Sequence, residues 1–198
     1  MAHGGTIIRP GAVAWGGTRE AEGCEGIEQA IAAVAADPAQ LPVLLIELVT
    51  SRLWVPLPAS QRPFTDGAAV QLPLVAFGGT DFVPCFTSVQ RLTAWVGRAT
   101  GGDGAAQEYG AQRPSQRAGD TPTVPHIVVP AAGLAGRLPA GVGLALNPDS
   151  VPGLPLFPEC LPAVAELAAT GRADSGRADS EVVDAWVACN TNRLYTRD

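Results

Sequence analysis

Apolar residues in this chain follow a helical period, then short strand-like runs, then a helical period again. Ile27, Ala30, Ile31 and Val34 are spaced i, i+3, i+4, i+7, which places them on one helix face. Asp37-Pro38-Ala39-Gln40 reads as a fresh helix start. Asp37 suits the cap, Pro38 the first helical position, and Gln40 the capping-box position. Leu41, Leu44, Leu45 and Leu48 form the next apolar face. Pro42 lacks the N–H that a helix interior needs. The pattern therefore fits two antiparallel helices, the second starting as late as Pro42, or one kinked helix.

From Leu53 the apolar runs become short and are punctuated by Pro and Gly. Leu53 to Pro58, Val70 to Phe77 and Phe82 to Phe86 read as strands. Asp66-Gly67 and Gly78-Gly79-Thr80-Asp81 are the turns between them. Short connections predict an antiparallel meander. Pro56, Pro73 and Pro84 should mark edges, bulges or strand ends. Thr87-Ser88-Val89-Gln90 has capping-box spacing and opens a helix, whose buried face is Val89, Leu92, Trp95 and Val96. That helix should pack on one face of the meander.

Val124 to Val129 and Val142 to Leu146 read as further strands, with a short helix from Ala131 to Leu138 between them. Pro148, Pro152, Pro155 and Pro158 carry the chain irregularly over a surface. Two helices follow, lined by Leu161, Val164, Ala165 and Ala168, then by Val183, Trp186, Val187 and Asn190. The loop between them holds the tandem repeat GRADS-GRADS, Gly171 to Ser180, and Ser180 caps the last helix. Residues 1–25 are Gly-rich and read as an irregular arm, and residues 99–122, without periodicity, as a flexible insertion. The expected organisation is an arm (1–25), an α+β domain (26–158) and a C-terminal helical extension (159–198). The fold class is α+β, an antiparallel or mixed sheet with flanking helices.

Composition narrows the function classes. All 13 basic residues are Arg, which suggests a high-GC genome. Without Lys there is no Walker A lysine, no Schiff-base lysine and no kinase-type strand lysine. The net charge of −6 and the scattered Arg residues argue against nucleic acid and anionic membrane surfaces as partners. No apolar run approaches the roughly 18 residues of a membrane span, and the first residues do not read as a signal peptide. A cytoplasmic protein is expected. Cys24, Cys85, Cys160 and Cys189 form no C-x-x-C pair and are expected to be reduced thiols.

Three phrases carry a resemblance: LWVPLP (Leu53 to Pro58), FVPCFTSVQRLTAWV (Phe82 to Val96) and GVGLALNPDS (Gly141 to Ser150). Together they resemble the N-terminal domain of the SseB family, the enhanced serine sensitivity proteins, over about residues 27–158. The resemblance implies an α+β domain in a soluble, cytoplasmic bacterial protein. It implies no reaction.

The residues offer little chemistry of their own. His126 lies in a strand pattern and reads as structural, although His is the natural general base. A thiol enzyme would need His126 beside Cys85 or Cys160. There is no G-x-S-x-G elbow and no His/Cys metal spacing. Gly141-Val142-Gly143 falls inside a strand and lacks the third glycine of a dinucleotide loop. No catalytic residue, metal or cofactor is expected. The candidate ligand-binding residues are Thr87, Ser88 and Asn147, where free N–H groups at a helix start would face a strand end. The favoured expectation is a non-catalytic interaction module with a protein partner. The alternatives are a small-molecule or anion sensor at that helix start and a cysteine-dependent enzyme.

Overall fold

The structure is a computed structural model that describes residues 6–8, 24–58, 70–100, 124–169 and 186. Helix α1, Cys24–Ala36, buries Ile27, Ala30, Ile31 and Val34, as their spacing predicts. Asp37 then leaves helical geometry, and its side chain accepts a hydrogen bond from the Ala39 N–H at 3.0 Å. A single 3-10 turn, Pro38–Gln40, leads into α2, Leu41–Thr50. Pro42 falls in the first turn of α2, where a missing N–H leaves no bond unmade. The two-helix reading is the right one, and α1 and α2 pack on each other. Leu41, Leu44, Leu45 and Leu48 are fully buried.

The strands do not form the expected meander. Strand β2, Arg52–Pro56, pairs antiparallel with β6, His126–Pro130, from Arg52 opposite Pro130 to Pro56 opposite His126. Strand β1, Thr6–Ile8, lies in the segment expected to be irregular and pairs with β3, Val70–Leu72. The largest sheet has the order β4 (Val75–Phe77), β5 (Thr80–Cys85), β7 (Val142–Leu146), β8 (Leu154–Leu156). Within it β5 and β7 run parallel, while β4–β5 and β7–β8 are antiparallel.

Two prolines account for the difference. Pro73 cannot donate to a ladder, and the run from Val70 to Phe77 splits there into β3 and β4. Pro84 lies inside β5. The Phe86 N–H donates to the Trp54 carbonyl at 2.9 Å, and residue 84, two positions back, faces the same side. Strand β4 pairs only as far as Phe82, and β2 hydrogen-bonds the chain just beyond β5 at the Trp54–Phe86 bridge. The absent N–H of Pro84 sits in the gap between those two neighbours, and β6 pairs with the opposite edge of β2.

The β4–β5 hairpin is as expected. Gly78 and Gly79 form its turn with φ of 58° and 79°, both in the left-handed region that a two-residue hairpin turn favours. Strand β8 was not expected; Pro155 sits within it, at the sheet edge, where a ladder N–H is dispensable. A Cβ on Gly143 would stand 2.5 Å from both the Leu156 carbonyl oxygen and the Phe82 ring, so β7 needs glycine there.

Helix α3, Val89–Thr100, buries Leu92, Trp95 and Val96 in a small cluster with Trp54, Phe86 and Val124. It extends through residues 99 and 100, which were expected in the insertion. Helix α4, Ala131–Ala135, is shorter than expected. It packs with α2 and α5, Leu161–Ala169. The buried face of α5 is Leu161, Val164 and Leu167, with Ala165 and Ala168 only half-buried. Trp186 is helical, buried and part of the main core. Helix α5 and Trp186 therefore share the core formed by α1, α2 and the sheets. The Asp66-Gly67 turn, residues 101–122, the GRADS repeat, Val183, Val187 and Asn190 lie outside the described residues.

Candidate functional site

Parallel pairing of β5 and β7 puts their C-terminal ends side by side, which brings Thr87 and Asn147 together from 60 positions apart. The Thr87 N–H donates to Asn147 Oδ1 at 3.1 Å, and Asn147 Nδ2 donates to Thr87 Oγ1 at 3.2 Å. The Thr87 hydroxyl donates to Glu28 Oε1 on α1 at 2.6 Å. The Asn147 N–H is taken by the Cys85 carbonyl at 2.7 Å. Both side chains are buried. Asn147 and the exposed Asp149 have φ of 47° and 57°, a region that Asn and Asp enter more readily than most residues.

Glu28 also receives Arg91 in a two-pronged ion pair, Nε at 2.7 Å and a terminal nitrogen at 3.0 Å. The Arg91 hydrogen bond is the main cause that lowers the Glu28 carboxyl below its ordinary range, and Thr87 adds to it. The same pairing raises the Arg91 guanidinium. This polar seam ties α1, the start of α3 and the end of β7 to one another.

The cap of α3 differs from the expectation by one residue. Ser88, half-buried, is the cap, and its hydroxyl accepts from the Arg91 N–H at 3.3 Å. Three positions beyond Ser88 stands Arg91, so no reciprocal capping box forms, and Thr87 is left to bond Asn147. The three candidate residues are thus neighbours. The Thr87 N–H expected to face a ligand is spent inside the chain.

Trp95 is buried against Phe86, with ring centroids 5.3 Å apart, and its indole N–H donates to Asp149 Oδ2 at 3.2 Å. Cys85 is fully buried, its thiol 3.5 Å from the Val83 carbonyl, and burial pushes the thiol far above its ordinary range. A thiol held protonated is a poor nucleophile. Cys160 is also buried. His126 Nδ1 lies 2.8 Å from the Val124 carbonyl, a contact within its own strand segment. Among the described residues, no three His, Cys, Asp or Glu side chains stand close enough to hold a metal ion, and no helix is long and apolar enough to cross a membrane.

At the opposite end of the same two strands lies a feature that sequence reasoning missed. Thr80 at the start of β5 and Val142 at the start of β7 help to line a groove of about 740 Å³. One wall is the α4–β7 connection, with Leu138, Pro139 and Ala140; the other is the entry to α5, with Leu161, Pro162 and Ala165. Backbone donors around it are used locally. Arg137 N–H bonds Leu134, Val142 N–H bonds Pro139, and Cys160 N–H bonds Phe157. The available signal was an apolar, Pro-rich loop on each side of β7 and β8, a pattern that also fits an ordinary connection.

Residues 27–104 match the family model of the SseB protein N-terminal domain. This segment is similar to SseB N-terminal domains. No curated protein and no solved structure matches the chain. The phrases LWVPLP and FVPCFTSVQRLTAWV lie within the SseB match, while GVGLALNPDS lies beyond it. Glu28, Thr87, Ser88, Arg91 and Trp95 therefore belong to the SseB segment. Asn147 and Asp149, which complete the seam, do not, and neither do the walls of the groove. The SseB segment alone also lacks β6 and β7, the strands that pair with its β2 and β5.

Proposed function

We propose that this chain is a non-catalytic interaction module that receives a short apolar segment of a partner protein in the groove at the N-terminal ends of β5 and β7. The apolar lining of that groove carries the reading. Its volume falls within the roughly 300–1,000 Å³ of ligand sites, but its walls offer few polar groups to orient a small polar molecule. Pro139, Pro158 and Pro162 have no N–H to give, and the N–H groups of Gly136, Val142 and Cys160 are committed. Such walls favour apolar side chains on a polypeptide.

The seam supports the same reading from the other end. Its Thr87 N–H is already bonded, and the Glu28 carboxylate beside the start of α3 disfavours an anion there. The buried, protonated thiol of Cys85 gives a cysteine-dependent reaction no nucleophile at that position. The buried, reduced Cys85 thiol fits a reducing, cytoplasmic setting.

The test is selection of random peptides displayed on phage against the intact chain, and against Ala140→Arg and Pro162→Arg, both at exposed positions of the groove. Retained peptides should be rich in apolar side chains. Each variant should weaken their binding by roughly tenfold or more, about 1.4 kcal/mol, with an unchanged melting temperature. Failure to retain peptides, or retention indifferent to both variants, would overturn the proposal.

A further inference from the structure

We draw no further inference here: the strongest candidate, the polar seam of Glu28, Thr87, Arg91 and Asn147 at the C-terminal ends of β5 and β7, carries nothing because it belongs to the site already described and its buried groups satisfy one another.

Discussion

The two ends of the β5–β7 pair have been put to opposite uses. At the C-terminal end, Glu28, Thr87, Arg91 and Asn147 close a polar network on itself. At the N-terminal end, Leu138, Pro139, Val142 and Pro162 leave an apolar groove open. Residues of the kind associated with chemistry are here spent on joining α1, α3 and the sheet. Residues of the kind associated with packing are left half-covered or exposed at the groove. Residue type alone is thus a poor guide to which end meets a ligand. A buried polar group is stabilising only once it is bonded, and the seam meets that condition from within the chain.

Both ends depend on β7, so its removal should have the largest effect. A chain ending at residue 104, the limit of the SseB match, loses the partners of β2 and β5 and the helices that cover α2. It should show no cooperative thermal transition. A sharp transition with native-like circular dichroism would mean that the matched segment folds alone and that β7 defines neither end.

Next comes Trp95, which links α3 to the loop beyond the seam. Trp95→Ala should cost about 3–5 kcal/mol, as large buried aromatic truncations do. Trp95→Phe keeps one aromatic ring but loses the bond to Asp149 and part of the buried indole, so its cost should be smaller, about 1–2 kcal/mol. Urea denaturation of the pair separates packing from hydrogen bonding. Equal losses would show that the Asp149 bond, rather than burial, dominates.

Asn147 tests the seam itself. Asn147→Gly removes the amide that accepts from Thr87 and should cost about 1–3 kcal/mol, the range for an unmet buried polar group. Asn147→Ala should cost roughly 1 kcal/mol more, because alanine resists the left-handed backbone. If alanine and glycine proved equal, the positive φ would contribute nothing measurable.

Glu28→Gln should be milder, about 0.5–1 kcal/mol, because the Arg91 pair is partly open to solvent and screened. Its signature is in the pH dependence. The folded-state pKa of Glu28 is lowered from an ordinary value of 4.5, so its contribution is fully present above that value. It is lost as pH falls through the lower, folded value. The variant should therefore show a shallower loss of stability below about pH 4.5 than the parent chain. Parallel acid-unfolding curves would remove Glu28 from the network.

The groove variants complete the series with almost no effect on folding. Ala140→Arg and Pro162→Arg replace exposed side chains and should shift stability by less than about 0.5 kcal/mol. A larger loss by thermal denaturation would make these positions structural and would erase the contrast with the seam.

Local elements were legible wherever one neighbour set the pattern. The helical face of Ile27, Ala30, Ile31 and Val34 follows from backbone periodicity, and so do the Leu face of α2, the Asp37 cap and the Gly78-Gly79 turn. Strand β7 was read at its observed limits because its apolar run ends at Asn147-Pro148. Strand β8 was missed because Pro155 masks an edge strand as irregular chain. Ser88 displaced Thr87 as the cap because spacing cannot reveal that Asn147, far along the chain, claims Thr87.

The α+β class, most helix faces and the hairpin turn were readable from the chain alone. These depend on contacts within a few positions, where backbone geometry allows few alternatives. The folded chain alone sets the pairing of β2 with β6, the parallel run of β5 and β7, and with it the closed seam and the open groove at their ends. Strand partners are chosen by hydrogen bonds and burial between distant segments. A proline such as Pro84 reports that a partner is missing on one side, but only the folded sheet shows which strand fills the other.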